Sequence, residues 1–188
     1  MVQTTISPCD VLIIGAGVMG TLSALELAEA GQDVVILDKG QAGLEASWAG
    51  GGIISPLYPW RYSPPITALA TWSQNTFPDL IAQLRDSTGI DPELLANGML
   101  VTATNEREQA LAWGAGVSRA VIEITDDEAQ SLEPQVVLDE TPLWMPRVSS
   151  VRNPRMGQAL RQMCFNHPHI QICEHHEAQV SGSLSSPV

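Results

Sequence analysis

Basic residues are scarce in this chain. It carries 9 Lys and Arg against 21 Asp and Glu in 188 residues, a net charge of −12. A surface of that sign repels phosphate backbones, which excludes nucleic acid and anionic membrane surfaces as partners. No Lys or Arg precedes Lys39, so the N-terminus lacks the basic region of a secretory signal. Asp10 stands directly before the first apolar run, with Glu26 and Glu29 soon after. No run approaches the roughly 18 apolar residues that a membrane-spanning helix needs. These absences predict a soluble, cytoplasmic chain with no membrane partner. Cysteine is sparse too: Cys9, Cys164 and Cys173 are odd in number and widely spaced. That pattern predicts reduced, mostly buried thiols and argues against a disulfide framework. There is no internal repeat. Apolar residues, by contrast, make up 44% of the chain, enough for a buried core in one domain or a small pair.

The apolar residues are patterned. Cys9 to Gly15 is a short apolar run ending at glycine, which predicts a buried parallel strand. Leu22, Leu25, Leu27 and Ala28 then recur at helical spacing from Val18 to Ala30, and Gly31 stops that helix. Asp33 to Asp38 predicts a second buried strand, so the chain opens with a βαβ unit. Ser63-Pro64-Pro65 starts a helix that the pattern breaks before Pro78 and resumes to Ser87. Gly98 to Thr104 and Val121 to Thr125 read as strands. Asn105 with Glu108, and Thr125 with Glu128, read as capping boxes of two further helices. Val136 to Val151 reads as strands and turns, Asn153 to Phe165 as a helix, and His169 to Val180 as strand. The final SGSLSSPV is polar and turn-rich, like a tail.

Gly15-Ala16-Gly17-Val18-Met19-Gly20 fits G-x-G-x-x-G, and it sits between a strand and a helix inside the βαβ unit. Gly15 permits the tight turn. Gly17 lets backbone approach a pyrophosphate, and Gly20 lets helix and strand pack closely. The helix N-terminus supplies unpaired N–H groups and a partial positive charge, so an acidic protein can still hold an anion. Asp38 ends the second strand, where an acid accepts from ribose hydroxyls and disfavours a 2′-phosphate. The unit alone does not separate FAD from NAD. Further strand–helix alternation would suit an NAD enzyme, but the chain instead enters Ala46-Ser47-Trp48-Ala49-Gly50-Gly51-Gly52-Ile53-Ile54-Ser55-Pro56. Three successive glycines bring backbone close to something flat or bulky, and their amides could donate to a flavin ring.

The motifs IIGAGVMG, VVILDKG, ASWAGGGIISPLYPW, LEPQV and RNPRMGQAL together resemble the D-amino-acid-oxidase-type FAD oxidoreductases, most closely the glycine oxidases of thiamine biosynthesis. The likeness extends to about Val180. It implies FAD as cofactor, a small amine or amino acid as substrate and dioxygen as acceptor. It places Gly15, Gly17, Val18, Met19 and Gly20 at the pyrophosphate, and Asp38 and Lys39 at the adenosine ribose. Ser47, Trp48, Ala49, Gly51 and Gly52 would lie along the pyrophosphate and isoalloxazine, and Ala178, on the last strand, near the adenine. Where family members often have Glu, this chain has Asp38. The substrate-binding Arg and Tyr of the family lie in its later half, and no residue here matches them.

The expected fold is α/β: a Rossmann-like FAD-binding domain interrupted by a mixed α+β substrate-side insertion, with the C-terminal half of the family fold absent. The expected segments are 1–90 and 151–182 for the FAD domain, 91–150 for the insertion and 183–188 for the tail. A truncated product, a second chain supplying the missing half, and a homo-oligomer all stay open. So do an NAD-dependent dehydrogenase and a non-catalytic dinucleotide-binding remnant. His167, His169, His175 and His176 lack a usual metal spacing and read as no metal site. Arg61, Arg147 and Arg152 read as ordinary exposed arginines, and most of the five tryptophans as packing residues, with Trp48 the exception.

Overall fold

The computed structural model describes residues 6–55, 58–117 and 121–179. The elements run β1 (Val11–Ile14), α1 (Val18–Glu29), β2 (Val34–Leu37), α2 (Ala46–Ala49), β3 (Ile53–Ile54), a 3₁₀ turn (Pro59–Arg61) and α3 (Pro64–Thr88). They continue with β4 (Met99–Val101), α4 (Arg107–Gly116), β5 (Ile122–Glu123), α5 (Asp126–Leu132), β6 (Leu143–Met145), β7 (Ser149–Ser150), α6 (Asn153–Asn166) and β8 (Ile170–Cys173). The chain divides into two units. One takes the described residues of Met1–Gly51, Gln83–Pro92 and Asn153–Val188; the other takes those of Gly52–Ala82 and Glu93–Arg152.

The first unit is built on a parallel sheet in the order β1-β2-β8. Val11 stands opposite Val34, and Val34 opposite Ile170. Continuous β-branched and leucine runs suit such a sheet, because parallel strands lie between helices and need apolar side chains on both faces. β2, the middle strand, buries Val34, Val35 and Ile36. Helices α1 and α6 pack on one another, with Ala24, Leu25 and Ala28 of the first and Met156, Ala159, Leu160 and Cys164 of the second buried. β1 departs from the sequence expectation of a buried strand. Its only partner among the described residues is β2, and Leu12 and Ile14 are 52% and 64% exposed. With one edge and one face uncovered, alternate side chains meet solvent.

The second unit has an antiparallel sheet in the order β4-β6-β5 and a two-stranded β3-β7 pair. Val101, Ala110, Val121, Leu143, Met145 and Val148 form its core, with Trp60, Leu111 and Trp113 packed against them. α5 starts as the sequence predicts: Thr125 accepts from the Glu128 N–H, and the Glu128 carboxylate accepts from the Thr125 N–H at 2.7 Å.

Several elements differ from the sequence reading, and β4 and β5 are shorter than the strands it expects. α3 runs unbroken through Pro78 over 25 residues. The lost N–H costs one backbone bond, but Ile81 and Leu84, buried beyond it, hold the helix together. α4 begins at Arg107 with Glu106 as its uncapped N-cap, so Asn105 and Glu108 form no capping box. Glu106 points instead at the 3₁₀ turn, accepting from Trp60 Nε1 and Arg61 Nε at 2.7 Å each. The glycine-rich stretch after Leu44 contains the short helix α2. β8 stops at Cys173, because His175 takes a left-handed φ of 59°. Ala178 therefore lies beyond the last strand rather than on it. Among the described residues no helix is long and apolar enough to cross a membrane. The SGSLSSPV tail and Pro56 lie outside the described residues.

Candidate dinucleotide site

β1 is followed by Gly15, whose φ of +100° only glycine adopts cheaply. The turn is pinned at once: the Gly15 N–H donates to Leu37 O at 2.8 Å, and the Gly43 N–H to Ala16 O at 3.0 Å. Gly17 is the N-cap of α1 and has no side chain to cap with. Its carbonyl accepts from both the N–H and the hydroxyl of Thr21. A Cβ on Gly20 would lie 1.9 Å from Gly15 O, so helix and loop touch backbone to backbone there. Gly15 thus makes the tight turn and Gly20 the close approach that the spacing predicts.

The first turn of α1 presents its N–H groups outward. The Val18 N–H donates to Ser47 Oγ at 2.9 Å. Among the described residues the Met19 and Gly20 N–H groups meet no acceptor, as expected where a helix begins without an accepting side chain. Met19 itself is 75% exposed. Ser47 Oγ accepts from Val18 and keeps its own O–H as a donor. Gly51, a few residues on, has open space where a Cβ would be. Trp48 and Ala49 on α2 are exposed. Gly52 begins the second unit; its φ is +73° and its carbonyl accepts from the Val151 N–H at 2.8 Å. A glycine cradle, outward helix donors and a hydroxyl beside them are the donor set that an anionic pyrophosphate needs.

Asp38 follows β2 directly. One carboxylate oxygen accepts from the Ala16 N–H at 2.7 Å and the other from the Gly40 N–H at 2.8 Å. The acid therefore braces the glycine loop, and each oxygen retains a lone pair for a ribose hydroxyl. Lys39 is exposed and pairs with Glu45 at 3.1 Å, a contact that holds its ammonium above its usual pKa.

Sequence reasoning missed the lock behind this loop. Glu174, the residue after β8, takes Arg161 of α6 in a two-point pair at 2.7 Å for each contact. The same carboxylate accepts from the Ala42 N–H at 2.9 Å. Arg161, together with that N–H, holds the Glu174 carboxyl below the ordinary 4.5 against the opposing effect of burial. The only signal was an acid inside the stretch read as the last strand, which is too common to single out. A depressed carboxyl contributes stability that is full above its ordinary pKa and is lost as pH falls through the lower folded value. Arg161→Met is expected to cost roughly 1–3 kcal/mol at neutral pH, with the deficit shrinking as pH falls below the ordinary 4.5 and through the lower folded value of Glu174. Urea unfolding at several pH values checks this. A deficit that stays constant to low pH would mean that the lost side chain acted through packing alone.

The remaining candidates disperse. Arg61 stacks on Tyr58, its Cζ 4.4 Å from the ring, and pairs with Glu106, while Arg152 pairs with Glu93 at 3.4 Å. Arg147 is exposed. His167 faces Glu29 at 3.8 Å and His169 faces Asp33 at 2.8 Å. Cys9 is exposed, whereas Cys164 and Cys173 are buried. Burial pushes the Cys164 thiol up to about 12, so it stays protonated and unreactive.

With this geometry the comparisons agree. The family model of FAD dependent oxidoreductases (DAO) matches residues 10–181. The glycine oxidase of Pseudomonas aeruginosa is 42% identical over 93% of this chain and 48% of its own length. That of Pseudomonas putida is 40% identical over 92% of this chain and 47% of its own. The crystal structure of glycine oxidase from Geobacillus kaustophilus superposes with a TM-score of 0.79 at 29% identity, over 89% of this chain and 46% of that one. The chain spans about half the length of the curated relatives it matches. A match over nearly the whole chain, on a cradle of the right chemistry, places it in the DAO family of FAD-dependent oxidoreductases.

Proposed function

We propose that this chain supplies the FAD-holding part of an oxidase that acts on a small amine or amino acid, glycine foremost, with dioxygen as electron acceptor. The observation that carries the reading is the Gly15–Gly20 cradle at the head of α1, in a chain 42% identical to a glycine oxidase. The Met19 and Gly20 N–H groups, the close approach at Gly17 and the Ser47 hydroxyl would hold the pyrophosphate. Val18 orients Ser47 through its N–H. Asp38 would take the ribose hydroxyls with Lys39 alongside, and Ala178 would adjoin the adenine. Trp48, Ala49, Gly51 and Gly52 would follow the chain of the cofactor toward its isoalloxazine. FAD, when bound, accepts the hydride of the amine carbon. The protein's part is to fix its position and keep the loop rigid.

The test is to produce the chain together with the second half of the Pseudomonas aeruginosa relative. The purified complex is expected to be yellow, to release FAD on denaturation and to give peroxide with glycine, sarcosine or a D-amino acid. A colourless complex that binds NADH tightly would restore the dehydrogenase alternative. A yellow complex without turnover on any amine would favour a dinucleotide-binding remnant.

A further inference from the structure

We propose that His176 reads the adenine end of the bound dinucleotide, its Nε2 accepting a hydrogen bond from the exocyclic amine of the base. The proposal rests on the dinucleotide reading above and adds to it a residue that selects the base.

The geometry comes from what happens after β8. The ladder between β2 and β8 does not stop with the strands. The Asp38 N–H donates to Cys173 O at 3.0 Å, the His175 N–H to Gly40 O at 3.0 Å and the His176 N–H to Asp38 O at 2.7 Å. His176 is thereby hydrogen-bonded, backbone to backbone, to the acid expected to take the ribose. This is the carboxyl end of the parallel strands, where ligands of such sheets bind. The base sits one glycosidic bond beyond the ribose.

The ring of His176 is held in one orientation. Its Nδ1 lies 2.6 Å from Glu174 O. A carbonyl oxygen only accepts, so Nδ1 carries the hydrogen. In the neutral ring Nε2 is then left with a lone pair and no hydrogen, an acceptor by necessity. Among the described residues Nε2 meets no hydrogen-bond partner. The anchor is itself rigid, because the Glu174 side chain is fixed by Arg161 and by the Ala42 N–H. An imidazole that is half-buried, oriented and left with a bare acceptor beside a ribose site suits a base that offers N–H donors. Adenine offers an exocyclic amine. Hypoxanthine, its closest analogue, offers a carbonyl oxygen in the same place, which would set acceptor against acceptor.

The experiment titrates the 188-residue chain with ADP and with IDP, by calorimetry or saturation-transfer NMR. It compares the wild type with His176→Leu and His176→Gln. ADP is expected to bind about tenfold more tightly than IDP, the worth of one hydrogen bond of about 1.4 kcal/mol. His176→Leu is expected to bring the ratio close to one by weakening ADP alone, since the pyrophosphate contacts are untouched. His176→Gln, whose amide oxygen also accepts, should retain most of the preference. A ratio that survives in His176→Leu would overturn this inference while leaving the dinucleotide reading standing. Binding of neither nucleotide by the wild type at millimolar concentration would overturn both. A leucine variant that melts earlier yet keeps the ratio would show that His176 only closes the turn.

Discussion

Replacing Gly20 with valine is expected to destroy both the loop and its ligand affinity, whereas Gly17→Val is expected to destroy the affinity alone. The difference lies in what each new Cβ would meet. At Gly20 it would fall 1.9 Å from Gly15 O, 3.1 Å from the Gly15 carbonyl carbon and 3.3 Å from Ile13 Cγ2. Two of those are backbone atoms, which cannot step aside unless α1 shifts off the sheet. A cost of roughly 2–4 kcal/mol is expected, at the upper end of what overpacking produces. At Gly17 the Cβ would meet only Ser47 Oγ, at 3.0 Å. That hydroxyl is the end of a side chain that can rotate away, so the fold should survive with a small shift in melting temperature. The branched methyls, however, would stand at the helix N-terminus, where a phosphate must approach. Loss of two charge-assisted hydrogen bonds corresponds to at least about a hundredfold in affinity. Thermal melting and FAD titration of both variants, in complex with the second half of the relative, separate the two effects. Unaltered affinity in Gly17→Val would mean that the loop does not hold phosphate.

The part of the fold that the sequence shows plainly is the part governed by local rules. β1, α1 and β2 each announce themselves by apolar period. The glycines between them are required by backbone conformation and close approach, which no neighbour can supply. Thr125 and Glu128 form their box because both partners lie within one turn. Elsewhere tertiary partners decide. Pro78 looks like a helix end, yet α3 continues because residues beyond it are buried. Glu106 displaces the predicted cap of α4 because Trp60 and Arg61, 46 and 45 residues away, compete for its carboxylate. Glu174 braces the loop through Ala42, 132 residues distant, a pairing that no local pattern encodes. Asp38 is the mixed case. Its place at the end of a strand is legible, but its hold on the Ala16 N–H is visible only once the strands are paired.

The 188-residue chain by itself is expected to show no oxidase turnover and to self-associate. The cause is β1. A parallel strand in this class of sheet normally has neighbours on both edges and helices over both faces. Among the described residues β1 pairs with β2 alone, and Leu12 and Ile14, two residues apart on one face, are both largely exposed. An unpaired edge beside an apolar face recruits other strands, from another copy if from nothing else. Catalysis suffers separately. Placement errors of about 1 Å can cost on the order of a hundredfold in rate, and the chain spans only about half of the relatives whose activity it would share. Light scattering should find polydisperse material, and peroxide release with glycine, sarcosine and D-amino acids should stay at background. Leu12→Lys separates the two effects, because a charge on the open strand blunts edge-to-edge pairing. That variant should be more monodisperse and still inactive. If the unmodified chain is instead monodisperse, flavin-loaded and active on any of these amines, the open face of β1 is tolerated in solution. The groups that bind substrate would then lie within these residues, with Arg61, Arg147 and Arg152 the first to replace.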